Sequence, residues 1–230
     1  SFINEIENLN KFLDNSLRPN LAIVGGSKIS TKIKVLENLV DIFDSIVIGG
    51  AMANTFLLSN GYDVGLSLVE NDYAKLSKEI QKKAKLNKCK IILPIDVVCS
   101  KNIHDTINVK NYNLNDIPNE QMILDIGDQS IKVISDEILK SRSVLWNGPL
   151  GAFEYSPFDK GTIAVAKTIK NCSSNKQINS LAGGGDTLAA IKKANANEAF
   201  NYLSIAGGAF LEWLEGNKSP GFLALEDNNL

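Results

Sequence analysis

Six short apolar runs, each closed by glycine or a polar turn, recur along this 230-residue chain: LAIVGG (21–26), SIVIGG (45–50), KIILPIDVV (90–98), SVLWNG (143–148), INSLAGGG (178–185) and NYLSIAGG (201–208). They are continuous rather than alternating, which is the pattern of strands buried on both faces of a parallel sheet. Helical patterns lie between them. Ile29, Ile33, Leu36, Val40 and Phe43 step by four and three along one face of an amphipathic helix. Tyr73 to Lys88 is lysine-rich with Leu76, Ile80 and Ala84 as its apolar stripe, and Ala164–Ile169 and Leu188–Ala194 read as further helices. Phe210–Leu214 reads as a last helix that stops at Gly216, with Pro220 beyond. The expected fold is α/β: a doubly wound, Rossmann-like, mostly parallel sheet with helices on both faces, in one domain over 1–230. The polar stretch Asn102–Glu120 is expected to be a β-rich excursion or a long loop.

Composition excludes more than it specifies. A net charge of −2 gives no nucleic-acid-binding surface and no polybasic membrane patch, and no apolar run approaches a bilayer span. Cys89, Cys99 and Cys172 are odd in number and lack C-x-x-C spacing, which fits a reducing cytoplasm better than a disulfide framework. Among 24 basic residues only Arg18 and Arg142 are arginine, the side chain best suited to grip carboxylates and phosphates bidentately. The chain starts at Ser1 in the middle of a helical pattern and is expected to be a fragment.

Ligands of open α/β sheets bind outside the carboxyl ends of the strands. Gly25-Gly26, Gly49-Gly50, Gly183-Gly184-Gly185 and Gly207-Gly208 all stand at such ends. Each pair alone suits a turn; together on one rim they suit a closely approached ligand. Neither G-x-x-x-x-G-K-[ST] nor G-x-G-x-x-G is present, which demotes P-loop and nicotinamide chemistry. The start of the helix after Gly185 can still hold phosphate on its free amides. Asp186 there is an ordinary helix cap, or a Mg²⁺ ligand if phosphate is present. Lys28 and Lys32, four apart, would project from neighbouring turns of a helix starting near Ile29 and could neutralise a polyphosphate. The single histidine, His104, reads as a loop residue without a nucleophilic partner.

RPNLAIVGGSKISTKIKVLENL, VIGGAMANTFL, LPIDVV, VLWNGPLGAFE, LAGGGDTLAAI and AGGAFLEWLEG occur here in the order of the phosphoglycerate kinase family, which the chain resembles from about Pro19 to Gly221. The resemblance covers the carboxy-terminal, nucleotide-binding half, and the half that holds 3-phosphoglycerate is not matched. It implies reversible phosphoryl transfer between 1,3-bisphosphoglycerate and ADP, giving 3-phosphoglycerate and MgATP, in a cytoplasmic monomer that is inactive as this half alone. By the resemblance, Gly26, Ser27 and Lys28 line the nucleotide, and Lys28 accompanies the transferred phosphoryl group. Lys32 is a second phosphate lysine, and Gly49 and Gly50 wall the adenine pocket. Asn147 and Pro149 contact nucleotide, and Glu154 hydrogen-bonds the ribose. Asp186 holds Mg²⁺, while Gly183, Gly184, Gly185 and Thr187 form the phosphate-binding helix start. Gly207 and Gly208 belong to a glycine run whose amides approach the phosphoryl group, so Lys28, Lys32, Gly185 and Gly208 form the implied catalytic set. Three positions depart from the family's pattern. Ala206 replaces a glycine, Ile123 stands where glycine commonly lies beside the base, and Thr31 stands where many members have aspartate.

Overall fold

The computed structural model describes residues 2–175 and 178–216; Pro220 and Gly221 lie outside them. In chain order the strands are β1 (Asn20–Val24), β2 (Ser45–Ile48), β3 (Lys90–Ile92), β4 (Asp96–Ser100), β5 (Lys110–Asn113), β6 (Met122–Ile126), β7 (Ser143–Asn147), β8 (Asn179–Gly183) and β9 (Tyr202–Ser204). The helices are α1 (Phe2–Asp14), α2 (Ile33–Ile42), α3 (Met52–Ser59), α4 (Ala74–Leu86), α5 (Asp128–Lys140), α6 (Lys160–Asn175), α7 (Gly185–Lys193) and α8 (Gly207–Leu214). Six strands form one sheet in the order β3-β2-β1-β7-β8-β9, with every neighbouring pair parallel. This is the doubly wound arrangement, and its order reverses between β1 and β7.

The continuous apolar runs are explained by two cores, one on each face of this sheet. Ala22 and Val24 of β1 pack with Leu36 and Val40 of α2, Ile80 of α4 and Phe210 of α8. Leu21 and Ile23, pointing the other way, pack with Ile134 of α5, Val165 and Ile169 of α6 and Ile191 of α7. Successive side chains alternate sides, so a strand covered on both faces must be apolar at every position.

Two elements differ from the sequence expectation. KIILPIDVV is not one strand: Pro94 offers no N–H for a ladder, and the chain leaves the main sheet there. β3 pairs with β2, whereas β4 enters a second, antiparallel sheet of order β5-β4-β6 with a small core of Val97, Cys99 and Ile117. The polar excursion supplies β5 to that sheet and is otherwise loop and a 3-10 turn at Leu114–Asp116. Nor does one helix run from Ile29. A 3-10 turn at Ile29–Thr31 comes first, Lys32 breaks the path at φ −123° and ψ 3°, and α2 starts at Ile33.

Asp96 fastens the second sheet to the α5 start. It is wholly buried and accepts hydrogen bonds from Ser130 N (2.7 Å), Ser130 Oγ (2.6 Å), Gln129 N (3.0 Å) and Asn111 Nδ2 (2.8 Å). Burial alone would raise its pKa, but these donors together outweigh burial and hold it below the usual carboxylate range. The stability it contributes is therefore complete above the unfolded aspartate value near pH 4 and is lost as pH falls below it. Asp96→Asn is expected to cost about 2 kcal/mol at pH 7, because an amide cannot accept at both oxygens. In urea titrations the gap between parent and variant should narrow towards pH 3; a gap that does not change with pH contradicts this assignment.

Candidate functional site

At the reversal between β1 and β7 the two strand ends stay joined after the ladder stops. Gly25 N donates to Asn147 O (2.8 Å) and Gly26 N to Pro149 O (3.1 Å). Backbone here lies directly on backbone. A Cβ on Gly25 would fall 2.0 Å from Pro149 O, and one on Gly148, at φ +96°, would fall 2.2 Å from Gly25 O. Gly49 has a different duty, since its Cβ would strike Leu150 Cδ2 at 2.3 Å. Beside this floor opens a cleft of about 360 Å³ between the two sheets. Gly26, Ser27, Gly50 and Asp186 lie at its polar end, Leu68, Val97 and Ile123 supply apolar wall, and Pro149–Tyr155 form its other side. A second hollow of about 340 Å³, among Asn8, Lys11, Asn179 and Asn201, lies at the amino ends of β8 and β9.

Asn147, buried at the end of β7, connects the charged groups. Its Nδ2 donates to Gly183 O (2.8 Å), and its Oδ1 accepts from Lys32 Nζ. Burial lowers the Lys32 pKa to about 8, while the charge of Asp186 opposes that fall. Lys32 thus reaches the start of α7 although it precedes α2. There Gly184, at φ +97°, turns the chain into a helix with no side-chain cap. The first helical bond is Leu188 N to Gly184 O, which leaves the amides of Gly185, Asp186 and Thr187 without intrahelical partners. Such amides with the helix dipole make an anion site. The Thr187 side chain faces inward: its Oγ1 accepts from Gly148 N (2.7 Å), which leaves only its amide for a ligand.

The three consecutive glycines have three separate reasons. A Cβ on Gly183 would strike the Phe210 ring of α8 at 2.5 Å, Gly184 needs positive φ, and Gly185 faces open space. Gly207 and Gly208, also in open space, begin α8 beyond β9 and do not line the cleft. Lys28 is exposed on the loop after β1, next to the cleft-lining Ser27, rather than one helical turn from Lys32. Glu154 is exposed at the mouth, on a loop pinned to β6 by Ala152 N to Leu124 O (2.8 Å). Among the described residues no three His, Cys, Asp or Glu gather as a metal cage. A lone exposed Asp186 beside free amides still suits Mg²⁺, which takes one or two carboxylates and completes its shell with phosphate and water.

Several cleft residues escape sequence reasoning. Asp125, buried on the cleft wall, accepts from Gly161 N (2.8 Å) and Ile126 N (2.8 Å), and burial pushes its pKa up to about 8. Gly151 and Gly161 make room for it, since a Cβ on either would meet Asp125 Oδ1 at 2.4 or 2.5 Å. Asn54 of α3 also lines the cleft; its Nδ2 donates to Leu68 O (3.1 Å), while its Oδ1 has no partner among the described residues. The excursion reaches the mouth, where Ile103 lines the cleft and His104 stands edge-on to Tyr155 at 5.7 Å. No local pattern announces any of these contacts.

The sequence model of the family described as phosphoglycerate kinase matches residues 1–217. The chain belongs to the phosphoglycerate kinase family. It is 49% identical over 221 residues to the phosphoglycerate kinase of Methylorubrum extorquens, covering 96% of this chain and 55% of that protein. The phosphoglycerate kinase of Brucella abortus is 46% identical over 217 residues, covering 94% and 55%. The solved structure of phosphoglycerate kinase from Coxiella burnetii superposes with a TM-score of 0.93 at 37% identity, over 98% of this chain and 57% of that one. That of Pyrococcus horikoshii OT3 gives 0.81 at 27% identity. The chain therefore spans about half the length of the curated phosphoglycerate kinases it matches.

The glycines of the cleft floor and of the rim should respond oppositely to a methyl group. Gly148→Ala combines a backbone clash with positive φ and is expected to destabilise by roughly 3 kcal/mol or more in urea unfolding. Gly208→Ala enters open space on a helix and should change stability by less than about 0.5 kcal/mol. Equal losses at both positions would contradict the distinction.

Proposed function

We propose that this chain, over 1–230, is the nucleotide-binding domain of a phosphoglycerate kinase, holding MgADP or MgATP while phosphate moves to or from a 3-phosphoglycerate site elsewhere in the protein. The observation that carries this reading is the convergence of Lys32, Asn147, Asp186 and the free α7 amides on the sheet's switch point. Phosphoryl transfer asks little covalent work of a protein, so positioning and charge stabilisation carry the rate. The amides of Gly185, Asp186 and Thr187 receive phosphate oxygens, Lys32 neutralises one phosphate from below, and Lys28 meets the group being transferred. Asp186 holds Mg²⁺, which when bound offsets the charge of adjacent phosphates. Glu154 at the mouth takes the ribose hydroxyls, and the base lies along Gly50, Leu68 and Ile123. Gly207 and Gly208, open at the α8 start, are free to approach the phosphoryl group when the acceptor is brought over the rim.

The same reading makes the chain inactive alone. Transfer requires donor and acceptor in line with water excluded. Neither arginine can serve an acceptor at the cleft: Arg18 and Arg142 precede β1 and β7, at the opposite edge of the sheet, and Arg18 pairs with Asp44. No described helix is long and apolar enough to cross a membrane. We read the working enzyme as a cytoplasmic monomer that uses Mg²⁺ and ATP/ADP together with 3-phosphoglycerate and 1,3-bisphosphoglycerate.

Titration calorimetry tests the assignment. Lys28→Ala and Asp186→Ala should each weaken MgATP binding by about tenfold or more, a scale set by charge-assisted contacts. Binding needs the protonated form of Lys32, which loses its charge as pH rises through about 8. Affinity should consequently fall above that pH, approaching about tenfold per unit for one proton. Lys32→Arg, always charged, should flatten that profile. Unchanged affinity in both alanine variants, or near-normal turnover of the chain alone in a coupled assay, overturns the reading.

A further inference from the structure

Glu70 follows α3 and lies 40 residues after Ser30 in the sequence. Its carboxylate accepts Ser30 N at Oε2 (3.0 Å) and Ser30 Oγ at Oε1 (2.5 Å). Ser30 is the central residue of the 3-10 turn Ile29–Thr31, which Lys28 and Lys32 flank on either side. Lys28 provides no side-chain cap for this turn, so the cap comes from Glu70. The Glu70 backbone is itself tethered, since its N–H donates to Oγ1 of Thr55 (3.1 Å), a buried residue of α3. From the inside the turn is closed by Lys32 N to Ile29 O (2.8 Å) and by Thr31 Oγ1 to Lys28 O (2.9 Å). Those two bonds shape the turn and the buried Ile29 side chain packs its first residue into the core, while Glu70 supplies the polar tie that holds Ser30 against the segment after α3. Glu70 does not line the cleft.

We propose that Glu70 is a positioning residue: by gripping Ser30 it fixes the turn between Lys28 and Lys32 and so aims Lys28 at the phosphate, without touching the nucleotide. This rests on the nucleotide-binding reading above. Two opposite effects of the carboxylate can be told apart by sign. As a negative charge near the Lys28 loop it repels phosphate, and its removal would tighten binding. As the anchor of the turn it supplies orientation, and its removal releases Lys28 into many conformers whose ordering nucleotide must then drive. A carboxylate that takes two donors from one residue is well suited to the second role.

The test is calorimetry with MgADP and MgATP on the chain, with melting temperatures confirming that each variant is folded. Glu70→Ala should weaken MgATP binding about tenfold and MgADP binding no more than about threefold, because Lys28 serves the terminal group. Glu70→Gln keeps one acceptor for Ser30 and should recover more than half of that loss on a logarithmic scale. In a Lys28→Ala background Glu70→Ala should cost less than about twofold, since nothing is left to aim. Should Glu70→Ala fail to fold, Ser30→Ala removes the hydroxyl contact from the other partner, and about a threefold loss confined to the Lys28 background is expected. Tighter or unchanged MgATP binding in Glu70→Ala, or an undiminished loss in the Lys28→Ala background, overturns the proposal. If the parent chain binds neither nucleotide, the nucleotide-binding reading falls and this one with it; if it binds both and Lys28→Ala is silent, only the role of Lys28 and Glu70 falls.

Discussion

The side chain of Asn147 is the interaction on which the site depends. It lies where the order of the main sheet reverses, and it needs both halves of its amide: Nδ2 for Gly183 O and Oδ1 for Lys32 Nζ. An aspartate would leave the Gly183 carbonyl without a donor, and an apolar residue would leave the half-buried lysine without an acceptor. This amide adds a side-chain tie from the end of β7 to the end of β8, beyond their shared ladder, and joins both to the lead-in of α2. Gly148 N to Thr187 Oγ1 holds the start of α7 at the same place, and there Asp186 and the Lys32 ammonium stand close together. The lysine gives up part of its basicity to stand there, because burial disfavours its charge more than Asp186 supports it.

Around that amide, glycine is used in two ways. In the floor, Gly25 and Gly148 let two strand ends touch backbone to backbone, so the cleft can begin immediately beyond the sheet. On the rim, Gly185, Gly207 and Gly208 face empty space at the starts of α7 and α8, where no side chain caps the first helical amides. A rim of bare amides and a few cations suits a ligand whose charge is spread over several oxygens. The neighbouring wall is apolar and comes largely from the second sheet, so each sheet supplies a different part of one cleft.

Much of this was legible in the residues. Five continuous apolar runs ending in glycine correspond to β1, β2, β7, β8 and β9, and most of the motifs that carry the family resemblance contribute residues to the cleft, AGGAFLEWLEG at α8 excepted. The failures share a cause. KIILPIDVV looks continuous because hydrophobicity persists through Pro94, while the sheet to which each half belongs is decided by partners far away in sequence. The stripe from Ile29 has helical spacing, but a carboxylate from Glu70 claims Ser30 and makes a separate turn. Asp125 and Asn54 look like ordinary strand and helix residues, and only burial beside the cleft distinguishes them. Periodicity reports which face is covered; it carries no information about a polar contact made across a hundred residues, as between Lys32 and Asn147.

The central claim is that phosphate is held at the switch point by the α7 amides and Lys32. An NMR titration of the isotopically labelled chain with MgADP tests it most directly. The largest shifts are expected on the amides of Gly185, Asp186 and Thr187 and on the side-chain amide of Asn147, with smaller ones along Leu68 and Ile123. Shifts centred instead on Asn8, Lys11 and Asn201 in the hollow at the opposite edge of the sheet, or none at saturating nucleotide, would contradict it.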